Sequence, residues 1–226
     1  MMKYTIAILL AAACTSGAVI AEDDPLEFDG YISVATDHRD RGVSLSGSDP
    51  ALTGSLTLSK GSFFAGAFGA WAKDLNGRET QTELFAGYSM PLGGWDLALS
   101  GELDSFHGNG SSSFYPEVKA AISRDYGLVY VNGGVSWSMD GRWDNPDNDS
   151  VYTWLDVDVP IPSLPEYTII AHFGHDFING NNNVTDWSIG MSAFIKDFEV
   201  SASYVDTTYN DNRGKGAFLA SLKFYF

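Results

Sequence analysis

Apolar and polar residues alternate with a period of two over most of the chain. Residues 95–104 show this clearly, because Trp95, Leu97, Leu99 and Leu103 share one face and mainly small or acidic residues lie between them. Successive side chains of a strand point to opposite faces. The alternation therefore predicts strands with one apolar and one polar face. Helical spacing is almost absent, so the pattern indicates an all-β protein.

Twelve segments carry this pattern, and each is near the roughly 9–11 residues that a tilted transmembrane strand needs. They cover residues 28–37, 52–59, 63–73, 80–90, 95–104, 114–123, 129–138, 151–159, 167–176, 186–195, 198–209 and 216–226. The segment 63–73 is apolar on both faces, so the pattern leaves open which face points outward.

The connections between these segments alternate in kind. Short, turn-like connections lie at residues 59–62, 91–94, 124–127, 160–165 and 196–197. Longer polar connections lie at residues 38–49, 74–79, 107–113, 140–150, 178–183 and 209–216. This arrangement predicts a transmembrane antiparallel up-and-down β-barrel of about twelve strands, with short periplasmic turns, longer external loops and both termini in the periplasm.

The polar faces of the segments carry many charges, which bears on the choice between two kinds of β-protein. A soluble β-sandwich or a small lipocalin-like barrel also shows alternating strands. Such a protein would bury these charges in a dry core, at several kcal/mol for each unpaired ion. A wet lumen removes that cost. We therefore expect a pore lined by Glu83, Glu102, Asp104, Glu117, Lys119, Asp156, Asp158, Asp186, Glu199 and Lys223.

The first 21 residues have the form of a secretory signal peptide. A positive start at Lys3 is followed by an apolar run and by small residues that lead to Ala21. Residues 22–226 are then expected to form one outer-membrane barrel domain. Two alternatives stay open: a buried N-terminal helix, and a lipoprotein acylated at Cys14, which is the chain's one cysteine.

The segment 216–226, GAFLASLKFYF, places Phe218, Leu222, Phe224 and Phe226 on one face. We interpret it as the closing strand of the barrel, paired with the first strand on one side and with segment 198–209 on the other. A terminal Phe after alternating apolar residues resembles the signal by which the outer-membrane assembly machinery recognises its clients. The expected partners are therefore that machinery and the lipid bilayer.

The acidic balance of the chain limits its other partners. There are 29 acidic and 13 basic residues, a formal net charge of −16. Nucleic acid favours a basic protein face, so a nucleic-acid partner is not expected. No segment after residue 21 approaches the roughly 20 consecutive apolar residues of a membrane helix. The expected location is the Gram-negative outer membrane.

Residues 31–71, YISVATDHRDRGVSLSGSDPALTGSLTLSKGSFFAGAFGAW, resemble the opening of the TorF-type porins, also called the Gcw family of Gram-negative envelope proteins. The residues that match the family motifs are Arg41, Gly42, Ser44, Gly66, Gly87 and Tyr88. The chain departs from the pattern at His38 and Asp40, where large apolar or aromatic residues are expected. The resemblance implies an outer-membrane, porin-like barrel and offers no catalytic residues.

An acidic lumen predicts a channel for passive diffusion of small solutes with a preference for cations, because low-dielectric walls focus the negative field. The alternative is a barrel that serves a structural or adhesive role without transport. In that case the acids would pair with basic residues and fill the lumen; the candidates are Arg39, Arg41, Lys119, Lys196 and Lys223. The oligomeric state stays open, as does a constriction by loop 38–49.

No cofactor and no metal are expected. Asp144, Asp147 and Asp149 offer hard oxygen ligands for calcium, but their spacing is not that of an EF-hand. His172 and His175 are three residues apart on a strand and point to opposite faces. A barrel lipase would need a serine and a histidine near the lipid-facing rim. His175 is the one histidine predicted on that face, and no Gly-x-Ser-x-Gly motif occurs, so we expect no enzyme.

Overall fold

The structure is a computed structural model that describes residues 24–72 and 77–226. The predicted signal peptide at residues 1–21 lies outside the described residues. Residues 73–76, which include the end of one predicted strand and part of the loop 74–79, lie outside them as well.

Twelve long strands in the described ranges form a closed antiparallel barrel, which confirms the predicted fold. They are β1 Glu27–Ala35, β4 Ala51–Lys60, β5 Phe63–Trp71, β6 Thr80–Leu92, β7 Trp95–Gly108, β8 Ser111–Asp125, β9 Tyr130–Ser138, β12 Ser150–Ile161, β13 Leu164–Ile178, β14 Val184–Ile195, β15 Phe198–Thr207 and β16 Ala217–Tyr225. Four two-residue strands form two small hairpins, β2 Arg39–Asp40 with β3 Val43–Ser44, and β10 Gly141–Arg142 with β11 Asn145–Pro146. A short 3₁₀ turn spans Asn212–Gly214. None of the helical structure in the described ranges is long and apolar enough to cross a membrane.

The barrel has a loop end and a turn end. The connections at the turn end are short, as predicted, and those at the loop end are mostly longer. The predicted loop 107–113 was wrong, because β7 and β8 continue through most of it and leave a two-residue turn at Asn109 and Gly110. Both residues have positive φ, 52° and 72°, as the type I′ turn that favours Asn-Gly requires.

The barrel closes where β16 pairs with β1, and β16 also pairs with β15, as predicted. The register places Tyr31 opposite Tyr225 and Val34 opposite Leu222. Phe226 extends the seam, because its N–H donates to the oxygen of Gly30 at 3.0 Å and its oxygen accepts from the N–H of Gly30 at 3.1 Å. Closure leaves no free sheet edge in this part of the barrel.

Inward and outward side chains differ in polarity around the barrel. Outward positions carry exposed large apolar residues on nearly every strand, and Phe218 is 84% exposed. Strand β5, whose orientation the sequence left open, turns Phe64 and Phe68 inward, where they line cavities. Its Trp71 points outward and is 64% exposed. A surface of this kind needs an apolar surrounding, and lipid supplies it.

Glycines on the inner wall hold aromatic rings flat against the neighbouring strand. Gly66 on β5 lies opposite Phe85 on β6, and Gly87 on β6 lies opposite Phe64 on β5. Each strand thus places one inward glycine beside an inward ring of the other strand. A Cβ at Gly66 would collide with the Phe85 ring and with the backbone oxygen of Leu56. The absence of a side chain at these glycines therefore keeps the rings out of the centre of the lumen.

Replacing Gly66 with alanine is expected to destabilise the barrel by about 1–3 kcal/mol, the usual cost of overpacking. The relevant collision is with backbone, which cannot move aside as a flexible side chain can. The measurement is equilibrium unfolding by urea of protein refolded in lipid. Gly101→Ala is the matched control, since a Cβ at Gly101 meets nothing within 4 Å. Equal stability of the two variants would contradict this account of the inner wall.

Removal of Phe226 is expected to reduce insertion of the barrel, because two backbone hydrogen bonds to Gly30 are lost at the seam. Phe226→Leu keeps both bonds and serves as the comparison. Heat-modifiable migration of membrane-extracted protein on a gel measures the folded fraction. Normal insertion of the truncated chain would contradict the predicted assembly role of this segment. Failure of both variants would assign the effect to the aromatic ring rather than to the seam.

Candidate functional site

The inside of the barrel contains two chambers. One, of about 480 Å³, lies towards the loop end, and the other, of about 510 Å³, lies towards the turn end. Seven side chains line both chambers, and we call this set the junction: Glu83, Phe85, Glu102, Lys119, Trp154, Asp156 and His172. The two chambers therefore share one level of the lumen, where acidic, basic and aromatic groups meet.

The hairpin β2–β3 folds inward from the loop after β1, so loop 38–49 does enter the lumen. Its tip is Arg41 and Gly42, both with positive φ, 46° and 79°. A Cβ at Gly42 would lie 2.7 Å from Cβ of Thr207 and 3.0 Å from Cβ of Asp186, on the barrel wall. Only glycine therefore fits the tip in this position, since it tolerates both the backbone angle and the close approach.

Arg41 fixes the tip of this hairpin to the opposite part of the wall. Its Nη2 donates to Oε2 of Glu117 at 2.5 Å, and its Nη1 donates to Oδ2 of Asp176 at 3.2 Å. The guanidinium also lies over the ring of Tyr152, 4.0 Å from the centroid. One side chain from the loop thus contacts β8, β12 and β13.

The second hairpin, β10–β11, folds inward beside the first and is tied to it through Asp40. Arg142 donates to Asp40, and Nε1 of Trp143 donates to Oδ2 of Asp40 at 3.0 Å. Burial alone would raise the pKa of the Asp40 carboxyl, but the adjacent guanidinium groups of Arg142 and Arg41 hold it below its usual range. Nη1 of Arg142 also lies 3.8 Å from Oδ2 of Asp176, so cations from both hairpins lie close to that carboxylate.

Apolar packing joins the two hairpins into one body, which we call the plug (residues 37–49 and 140–149). Val43, Leu45 and Trp143 of the plug form a buried cluster with Ala70 and Phe106 of the barrel wall and with Ala72, which follows β5. Five of the six are less than 2% exposed. The plug therefore packs against the wall through a small shared core and narrows the loop end of the lumen.

The acidic residues of the lumen divide into paired and unpaired groups. Lys119 pairs with Glu102, and with Glu117 at 3.2 Å. The side chain of Glu83, by contrast, makes no ion pair and no hydrogen bond within residues 24–72 and 77–226, although it belongs to the junction. The carboxyl group of Glu83 is thus an acidic group without an ion-pair partner of its own that a solute in either chamber can meet.

On the opposite wall a histidine connects two carboxylates. Nδ1 of His172 lies 2.6 Å from Oδ1 of Asp156, and its Nε2 lies 2.9 Å from Oδ1 of Asp186. The hydroxyl of Tyr152 donates to the same Asp186 at 3.2 Å. Asp158 lines the turn-end chamber without a basic partner in the described ranges.

All ten residues predicted to line a pore lie on the inner face. Seven of them border a chamber: Glu83, Glu102, Asp104, Glu117, Lys119, Asp156 and Asp158. The other three make their bonds on the inner wall, Asp186 to His172, and Glu199 to Lys223 at 3.8 Å. The alternative, in which the acids of the lumen pair with basic residues, also holds in part, because Arg41 and Lys119 are paired with acids of this set. Their role in permeation stays a prediction.

The family-motif residues have separate structural roles. Arg41, Gly42 and Ser44 build the plug, where Oγ of Ser44 donates to Oδ1 of Asp37 at 2.7 Å. Gly66 and Gly87 accommodate the lumen rings described above. Tyr88 contacts Phe63 on the outer face, with the ring centroids 4.9 Å apart.

Several residues of the site were missed from the sequence. They are Asp176, Arg142, Trp143, Tyr152, Phe85 and Trp154. The sequence did contain a signal for Arg142 and Trp143, because an adjacent Arg and Trp are unusual in the otherwise polar, acidic loop 140–150. Tyr152, Phe85 and Trp154 stand on the polar face of their strands, which is a second signal.

The residues considered for metal binding or hydrolysis are placed as follows. Asp144, Asp147 and Asp149 do not come together, and no group of three His, Cys, Asp or Glu side chains in the described chain could hold a metal. His172 faces the lumen and His175 faces outward, where its Nδ1 lies 2.7 Å from Oγ1 of Thr185. The prediction that His175 alone faces outward was wrong, because the longer β7 places His107 outward as well.

Comparison with known proteins gives one family and a set of similar folds. Residues 20–221 match the family model described as "Bacterial protein of unknown function (Gcw_chp)". No curated protein matches the chain. A solved structure of the KdgM porin in complex with disordered oligogalacturonate is similar, with a TM-score of 0.57, 10% identity, and coverage of 88% of this chain and 99% of that chain. A second KdgM porin structure has a TM-score of 0.54, 10% identity and the same coverage.

At 10% identity these structures establish a porin-type fold and nothing further. The family match extends over most of the chain and agrees with the resemblance to the Gcw family at residues 31–71, whereas the narrower TorF-type name stays a prediction. This chain belongs to the Gcw_chp family of bacterial proteins.

Proposed function

We propose that the protein is an outer-membrane, porin-like channel through which small solutes diffuse passively, with a preference for cations. The observation that carries the proposal is an inner wall rich in carboxylates around two adjoining chambers, inside a barrel whose outer wall is apolar. Closed barrels of this kind span outer membranes, with longer loops outside and both termini in the periplasm. The proposed partners are the lipid bilayer, the assembly machinery and the solutes.

The preference for cations follows from the charges of the lumen. Glu83 and Asp158 border the chambers without basic partners in the described ranges, and their field is focused by the low-dielectric wall. The similar KdgM structure contains oligogalacturonate, a chain of sugars that bear carboxylates. An acidic lumen repels such an anion, so we do not extend that ligand to this chain.

The plug supports a small exclusion size. It occupies the loop end and leaves chambers of about 480 Å³ and 510 Å³, comparable with the roughly 300–1,000 Å³ of small-molecule sites. The same plug is the observation that favours the second candidate, a structural or adhesive barrel without transport. In either case we propose no enzymatic role, since the fold resembles porin barrels.

Neutralising the unpaired acids is expected to weaken cation preference. The double variant Glu83→Gln and Asp158→Asn replaces two acidic groups of the chambers by neutral amides of nearly the same size. The measurement is the reversal potential in a planar bilayer under a KCl gradient, which should move towards zero relative to the unmodified protein. Glu166→Gln, an exposed position at the turn end, is the control, because salt screens exposed charges over about 10 Å. An unchanged potential in the double variant would contradict this assignment.

Loosening the plug is expected to increase single-channel conductance. Arg41→Gln leaves Glu117 and Asp176 without one of their cations, and breaking a buried pair costs about 3–5 kcal/mol, which favours a displaced hairpin. Lys60→Gln is the control, an exposed cation at the turn end. If the Arg41 variant inserts normally and conducts like the control, the plug does not limit the current.

A further inference from the structure

Two aromatic rings of the junction lie against glycines of the wall and line the lumen. The indole of Trp154 lies over Gly134, where a Cβ would be 2.5 Å from Cζ2 of the ring. The ring of Phe85 lies over Gly66 in the same way. Both rings border both chambers, so a solute that passes between the chambers meets them.

The protein already places its own cations on neighbouring rings of the lumen. Arg41 lies over Tyr152 at 4.0 Å, and Nζ of Lys223 lies over Tyr31 at 4.8 Å. The Tyr152 ring is stacked beside Trp154, with centroids 5.9 Å apart and planes at 16°. Trp154 thus continues the surface on which Arg41 lies, but no cation of the described chain lies over Trp154 or Phe85.

Each of these two rings has an acidic side chain beside it. Glu83 is two residues from Phe85 on β6, and Asp156 is two residues from Trp154 on β12, so each pair shares the inner face. All four residues border both chambers. A ring face and an adjacent carboxylate together attract an organic cation more than either group does alone, since the ring contributes through its quadrupole.

We propose that the junction selects small organic cations, with an ammonium or guanidinium group on a short aliphatic body, over inorganic cations and neutral sugars. This inference rests on the proposed function and names its substrate class. The rings of Phe85 and Trp154 contact the alkylated or planar cation, and the carboxyl groups of Glu83 and Asp156 attract it. Asp156 does so while also contacting Nδ1 of His172 at 2.6 Å. Potassium is attracted by the carboxylates but, being strongly hydrated, gains less from the rings.

The test measures block of the K⁺ current in a planar bilayer by 1,4-diaminobutane and by tetramethylammonium. Each variant's block is compared with that variant's own KCl current. Trp154→Leu is expected to weaken the block about fivefold, the usual effect of losing one partly desolvated cation–π contact. Trp137→Leu, an outward tryptophan that is 41% exposed, is the matched control and should leave the block unchanged.

Phe85→Leu provides a second variant, and heat-modifiable migration shows that each variant is folded. The proposal is supported if the block is weaker in either inner variant and unchanged in the Trp137→Leu control. Equal block in inner and outer variants overturns it. A block by glucose at the same concentrations that is lost with Trp154→Leu also overturns it, since the rings would then serve neutral sugars. A cation-preferring KCl current without block refutes this inference alone, whereas absent or anion-preferring current refutes the proposed function itself.

Discussion

Hydrogen bonds between β1 and β16 close twelve strands into a barrel, and the rest of the structure depends on this closure. In lipid no water is present to satisfy an open strand edge, so a spanning sheet must pair every strand. The seam is short, with register pairs from Tyr31 opposite Tyr225 to Ala35 opposite Ser221, and Phe226 lengthens it through Gly30. Once closed, the wall separates an apolar exterior from an interior that can hold charge.

The interior shows how the chain uses that separation. Charges that would be costly in a dry core are arranged in two ways: some are paired inside the plug, and some border the chambers. Arg41 illustrates the first, since it crosses from a loop to Glu117, Asp176 and Tyr152. Glu83 illustrates the second, since it faces both chambers without a basic partner in the part of the chain that is described. In the proposed channel, the plug restricts the path and the unpaired acids favour cations.

Much of the fold could be predicted from the sequence because lipid and water lie on opposite sides of each strand, which imposes a period of two on the residues. The turn at Asn109 and Gly110 was missed because its polar composition resembles a loop, whereas its Asn-Gly pair determines a tight turn. Which residues are inward was also predictable from alternation, as Glu83 and Asp156 show. The contact between Arg41 and Asp176 was not predictable, because it joins residues 135 positions apart through an inward fold of a loop.

The central claim is that the acidic lumen is an open, cation-preferring path despite the plug. The most direct measurement is the reversal potential of the unmodified, refolded protein in a planar lipid bilayer with KCl at different concentrations on the two sides. The account predicts discrete conductance steps and a reversal potential displaced towards the equilibrium potential of K⁺. The absence of any conductance from correctly inserted protein, or a displacement towards the equilibrium potential of Cl⁻, would contradict it.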